Sequence, residues 1–168
     1  MPTFSQSRRS LVTLVVSTGL AFAILSTAAC GNPAGVIERV AVDGVRYTSE
    51  PFLVSATPLL LVDSIVLTNV SQHTANITYG GCVVSMRAYR SSDRSGAPVY
   101  DQASYEACLD ILSRSLLAPG DSLTFVGSIS AGGLHAAGVP PGHYWFASVV
   151  LVNGATTELA AGDANFSP

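Results

Sequence analysis

Three thiols, Cys30, Cys82 and Cys108, are the side chains whose surroundings most narrowly define their chemistry. Thr27-Ala28-Ala29 precede Cys30, directly behind the apolar run Leu11 to Leu25. Small residues before a cysteine let a signal peptidase cut there once the thiol has been acylated. On this reading Cys30 becomes the lipid-carrying first residue of the mature chain. Cys82 and Cys108 then remain as a pair in a compartment that permits disulfides, and a bond between them is expected. A redox or metal pair is the alternative, but 25 intervening residues match neither Cys-x-x-Cys nor a compact zinc site.

The remaining polar groups form no catalytic pattern. His73, His135 and His143 are scattered, with no His-Glu-x-x-His helix and no Gly-x-Ser-x-Gly elbow. Met86 is the one methionine left after processing, which makes a Met and His copper site a weak reading. No enzyme activity, cofactor or metal is therefore expected. His143 stands out because it follows Pro140-Pro141-Gly142 and begins an aromatic strand, where it could project as a ligand or proton acceptor. Tyr144, Trp145 and Phe146 either form a stacking platform or fill the core, and core filling is favoured. On successive strand positions the trio must split between two faces, with Trp145 opposite the other two. Arg87, Arg90 and Arg94 are the one local basic cluster, suited to an anionic partner or lipid headgroup, or simply a solvated hairpin end. Arg87, Arg90, Arg94, His143 and Trp145 are thus the candidate partner contacts.

The elements that must position these groups begin with a leader. Residues 1–29 have the parts of an export signal: Arg8 and Arg9, a 15-residue apolar core, and a small-residue exit. That core, interrupted by Ser17, Thr18 and Gly19, is short of the roughly 20 residues a spanning helix wants. Plain secretion with a cut after Ala29 is the alternative to lipidation. Ser7 to Val12 also resembles a twin-arginine signal, although an ordinary positive n-region explains it as well. Residues 30–35 read as a lipidated tether, and 36–168 as one domain. The mature chain carries six Arg, no Lys and eleven acidic residues, a net charge of −5, which excludes nucleic acid as a natural partner. The expected location is the bacterial cell membrane or outer membrane, facing the periplasm or exterior. Gly31 lacks the Asp that often marks inner-membrane retention.

Hydropathy patterning predicts an all-β domain of about 7–9 strands. Asp43-Gly44 and Asn153-Gly154 each sit between β-like runs, and both dipeptides accept the positive φ angles of a two-residue hairpin turn. Further strands are expected at Phe52 to Ala56, Asp63 to Val70, Ala75 to Tyr79, Val83 to Tyr89, Ser122 to Ser130 and His143 to Val152. Leu123, Phe125 and Ile129 should face the core, with Ser122, Thr124 and Ser128 opposite. The run from His143 is apolar on both faces, as a covered central strand requires. A helix is expected only over Gln102 to Leu112, where Tyr105, Cys108, Leu109 and Leu112 share a face. The sequons at Asn69, Asn76 and Asn165 carry little weight in a bacterial lipoprotein.

Leu117-Ala118-Pro119-Gly120-Asp121-Ser122-Leu123-Thr124-Phe125 resembles the L-x-P-G-[DE]-[ST]-x-x-F element of immunoglobulin-like domains. With Val139-Pro140-Pro141-Gly142-His143-Tyr144-Trp145-Phe146, Leu67 to Ser71 and Gly96 to Tyr100, the order of motifs is similar to the intracellular proteinase inhibitor (BsuPI) family over Asp63 to Ala161. The resemblance implies an immunoglobulin-like antiparallel β-sandwich. It also implies, as one function, inhibition of a serine protease through a braced loop, for which Arg90 to Ser104 is the candidate. The other expected function is a non-catalytic, membrane-anchored interaction module that holds a protein partner.

Overall fold

The computed structural model describes residues 39–108 and 111–167; the leader, Cys30 and the tether lie outside the described residues. The chain runs β1 (Arg39–Val42), β2 (Val45–Ala56), β3 (Leu59–Asn69), β4 (Ala75–Tyr89), β5 (Tyr100–Asp101), a 3-10 turn (Gln102–Ser104), β6 (Ser113–Leu117), β7 (Ser122–Ser130), α1 (Ala131–Ala136), β8 (Gly142–Val152) and β9 (Ala155–Phe166). Both hairpin turns form as their residue types dictate. Asp43 and Gly44 lie at φ 49° and 76°, and Asn153 and Gly154 at 53° and 74°, the left-handed pairs of a type I′ turn. Asn153 also ties its turn to β4, accepting from the Thr78 amide at 2.7 Å.

Two antiparallel sheets pack as a sandwich, ordered β1-β2-β3-β7 and β5-β4-β8-β9, with β6 pairing β4 beside β5. The arrangement of β2, β3 and β7 against β4, β8 and β9 is the A-B-E and C-F-G order of immunoglobulin-like sandwiches. Alternation decides which side chains meet between the sheets. Leu59, Leu61, Asp63, Ile65, Leu67 and Asn69 of β3 are all buried while the residues between them are part-exposed. β7 alternates as its sequence requires, and β8 lies between β4 and β9 with Phe146 to Val150 buried throughout. Tyr144 and Phe146, both 1 % exposed, head the inner core.

Among the described residues no buried side-chain nitrogen or oxygen lacks a hydrogen-bond partner. Asn69 donates to the carbonyls of His73 and Leu117 at 2.7 and 2.8 Å while its Oδ1 accepts from the Ser71 amide, so this sequon asparagine is a structural brace. Asp63, wholly buried, accepts from Ser148 Oγ at 2.6 Å and lies 2.9 and 3.1 Å from Ser49 Oγ. Ser49 Oγ is also 2.7 Å from the Ala160 carbonyl.

Gly127 marks a close approach of the two sheets. A Cβ there would fall 2.6 Å from Val84 Cγ1, and a β-branched neighbour has few rotamers to retreat into. Gly127→Ala is expected to destabilise the domain by about 1–3 kcal/mol through overpacking. Adding Val84→Ala should recover part of that loss, and denaturant midpoints of the two single variants and the double variant check it. Strictly additive losses would show that the strain lies elsewhere.

Among the described residues of Gln102 to Leu112 the expected helix does not form. Only Gln102–Ser104 winds, as a 3-10 turn capped by the Asp101 side chain, and Tyr105 and Leu112 are 60 % and 75 % exposed. Tyr105 stacks on Tyr100, with ring centroids 5.4 Å apart. Cys108 is instead bonded to Cys82, and β6 begins at Ser113. The helix that does form, α1, contains Gly132 and Gly133, which hide it from any propensity argument. Ala75 to Tyr79 and Val83 to Tyr89 are one strand, broken in register between Tyr79 and Val84.

Candidate functional site

The β8–β9 hairpin builds the site. From Val152↔Ala155 its register runs regularly back to Ala147↔Ala160, after which Ala161 and Gly162 stand against Phe146 and the pairing resumes at Trp145↔Asp163. Gly162, at φ 82°, takes the left-handed conformation that such a bulge needs. The extra residue shifts Asp163 and Asn165 to the same face as Trp145 and His143. There His143 Nε2 lies 3.1 Å from Asp163 Oδ2 and its Nδ1 3.2 Å from Asn165 Oδ1. The imidazole meets the Trp145 ring edge to face at 4.7 Å.

The aromatic trio splits as period two demands, and Trp145 is the member that leaves the core. It sits half-buried on the outer face of the sheet, where it lines a cleft of ≈ 310 Å³ with Ser92, Arg94, Phe146, Ala160, Gly162 and Asp163. Core filling thus holds for Tyr144 and Phe146 only.

Arg87, Arg90 and Arg94 are not one basic patch. Arg87 Nε contacts Asp101 at 2.9 Å and its Nη1 contacts Glu158 at 3.0 Å, while Tyr89 Oη donates to the same Glu158 oxygen at 2.9 Å. Burial alone would lower the Arg87 guanidinium, but hydrogen bonds to Glu158 and Asp101 outweigh it and hold it above its usual range. Desolvation, reinforced by Glu158, raises the Tyr89 hydroxyl. Arg90 lies over the Tyr144 ring, 5.9 Å from its centroid. Arg94 alone joins the Trp145 cleft. Trp145 thus shares a cleft with Arg94 and a ring contact with His143, while Arg87 and Arg90 are engaged with other groups. The structure adds Asp163 and Asn165, which a two-residue hairpin without the bulge would have turned to the other face.

Cys82 and Cys108 are bonded, with Cα atoms 5.4 Å apart. Within the enclosed segment, Tyr100 and Asp101 pair with Ala88 and Arg87, so the rear of the Arg90 to Ser104 loop is a short edge strand. Only Ser91 to Pro98 forms a tip outside the sheet, and Arg94 within it faces the domain's own cleft. Among the described residues no three His, Cys, Asp or Glu side chains are grouped to hold a metal ion. The arrangement offers an aromatic edge flanked by carboxylate, imidazole and guanidinium groups, which suits contact with a polar partner surface.

No family model and no curated protein matches the sequence. Similar solved structures include β-glucosidase EmGH1 from Erythrobacter marinus, at 16 % identity and a TM-score of 0.39 over 73 % of this chain and 15 % of that one. Another is β-glucosidase 3B from Thermotoga neapolitana in complex with glucose, at 15 % identity and a TM-score of 0.32 over 80 % and 16 %. The chain thus spans less than a fifth of the length of these enzymes, and likeness at such TM-scores transfers no activity to it.

Proposed function

We propose that this chain is a non-catalytic interaction module of the cell envelope, exported and anchored to the membrane by lipid on Cys30. The observation that carries the reading is the Cys82–Cys108 bond, which belongs to an oxidising compartment and braces a sandwich whose charged groups are engaged with one another. The Trp145 cleft and the sandwich edges are the surfaces it offers to a protein partner.

Tethered inhibition of a serine protease is the second reading, supported by the resemblance to the proteinase inhibitor family and by the bracing of the Arg90 to Ser104 loop. The loop tip exposes Ser92, Asp93 and Ser95 to Ala97, while its basic residue Arg94 lines the cleft. In cells fed an alkyne-tagged fatty acid, the wild-type chain is expected to carry label and to sediment with membranes, and Cys30→Ala to lose both. Label on Cys30→Ala, or none on wild type, would sink the anchor. A photo-crosslinking residue in place of Trp145 or Val126 then tests for envelope partners. Stoichiometric inhibition of a subtilisin-like protease by the oxidised domain, weakened by reduction, would favour the inhibitor instead.

A further inference from the structure

The two sheets are offset by one strand position, and the offset leaves a strand-shaped gap beside β7. Side-chain contacts fix how the layers stack. Tyr79 of β4 meets Phe125 of β7 at 4.9 Å, Ser148 of β8 bonds Asp63 of β3, and Ser49 of β2 bonds the Ala160 carbonyl of β9. So β4 covers β7, β8 covers β3 and β9 covers β2. β5 and β6, bonded to the far side of β4, project one strand beyond β7. Beneath β5, Leu134 of α1 is buried and Gly133 approaches Tyr100 Oη, so that end is filled. Beneath β6, among the described residues, no strand lies beside β7. Along this seam Leu123, Phe125, Tyr79, Val83 and Val84 are only partly buried although they pack on the core.

The β7 edge is also unlike the other edges of the sandwich. Proteins protect exposed edges with charge, proline, bulges or shortness, because a row of unpaired N–H and C=O groups templates another strand. β1 has four residues and includes Arg39, β5 has two, β6 has five with Arg114, and β9 carries Glu158, Asp163 and the Gly162 bulge. β7 has nine residues, no charge and no proline, and pairs β3 without a register break from Ser122 to Ser130.

Resting on the reading of this domain as an interaction module, we propose that β7 accepts an extended, uncharged segment of a partner polypeptide as a fifth strand of its sheet. The absence of charge along the seam selects an uncharged strand. Alternate side chains of that strand enter under β6 against Phe125, Leu123 and Tyr79, so the segment carries apolar residues at every second position. A second copy of the chain does not fit. Joining two β7 strands would place β5 and β6 of one protomer where β4 of the other must lie. Nine residues at about 3.4 Å each also give a seam about 30 Å long, and edge contact about 10 Å deep buries roughly 300 Å² per side, or about 600 Å² in total, short of the roughly 1,000 Å² total a stable dimer needs. An inserted peptide is enclosed on an edge and a face together.

Panning a displayed random decapeptide library against the oxidised domain tests this. Enriched peptides are expected to lack charges, alternate apolar with small polar residues, and slow hydrogen exchange of the β7 amides. N-methylating one alternate set of peptide amides should weaken binding at least tenfold while the other set leaves it intact, a signature that side-chain docking does not produce. Val126→Lys, at a position 65 % exposed and so tolerant of change, should also weaken binding about tenfold, whereas Thr156→Ala, at an exposed position of the β8–β9 hairpin, should not. No enrichment, indifference to N-methylation of both sets, or a dimer formed through β7 would overturn the proposal. Because the assay uses the purified domain, its failure is separable from failure of the module reading, which is judged by envelope crosslinks at Trp145.

Discussion

Replacing Cys82 and Cys108 together by Ser is expected to cost the domain about 3.5 kcal/mol, the chain-entropy value for a crosslink with a sequence separation of 26. For a domain of this size that corresponds to a fall in Tm of roughly 10–15 °C. The bond joins the exposed Cys108 to the point where β4 loses register with β8, and the segment between β5 and β6 has few other ties. Hydrogen exchange in the double variant should therefore rise first in residues 102–108 and in β6, before the β3, β8 and β9 core responds. Thermal melts of the oxidised, reduced and Ser-substituted forms check the magnitude. An unchanged Tm on reduction would mean that packing, not the crosslink, limits the unfolded chain.

Stability should also fall as pH rises above the ordinary aspartate range, because of Asp63. Desolvation raises its pKa from 3.8 and outweighs the hydrogen bonds from Ser148, Ser49 and the Glu50 amide that favour its charged form. The geometry suits a neutral carboxyl. One proton on Asp63 can be given to Ser49 Oγ, whose own proton goes to the Ala160 carbonyl, while Ser148 donates to the second carboxyl oxygen. Below the unfolded pKa both states hold this proton and the group leaves stability untouched. Above it the unfolded chain releases the proton first, so stability declines until pH passes the raised folded value, by about 1.4 kcal/mol for each pH unit between the two.

Asp63→Asn removes that titration. Its advantage over wild type should grow from about pH 4 upward and then level off, as denaturant unfolding at a series of pH values would show. Asp63→Ala leaves the Ser148 hydroxyl without its acceptor and opens a cavity, and is expected to cost about 2–4 kcal/mol. Parallel pH profiles for wild type and Asp63→Asn would exclude the buried proton.

Particular residues show what the sequence carried. Asp43-Gly44 and Asn153-Gly154 determined both hairpins, because few other dipeptides accept two positive φ angles in succession. Ser122 to Ser130 determined a strand and both of its faces, because the side-chain period of two is local to the backbone. The cysteine pairing followed from compartment and count, and the bond is present. These are short-range properties, or properties of composition.

Other features depended on neighbours that are distant in sequence. Helical spacing over Gln102 to Leu112 gave way, among the described residues, to a single 3-10 turn and to the bond that ties Cys108 to Cys82. The β8–β9 turn alone would have paired His143 with Ala164; the Gly162 bulge pairs it with Asn165 and so assembles the outer-face cluster. Asp63 read as a polar residue opening a strand, and only the sheet packed over it makes it a buried acid. Among the described residues the β7 edge is open because the two sheets are offset by one strand position, with β5 and β6 sharing one side of β4 and standing beyond β7. The sequence by itself determined most of the longer strands, the two hairpin turns and the disulfide, but not β5 or β6, since backbone conformation responds to near neighbours. The tertiary structure decided which polar groups share a face, which are buried and which edge stays open, since each depends on register and layer order between segments far apart in the chain.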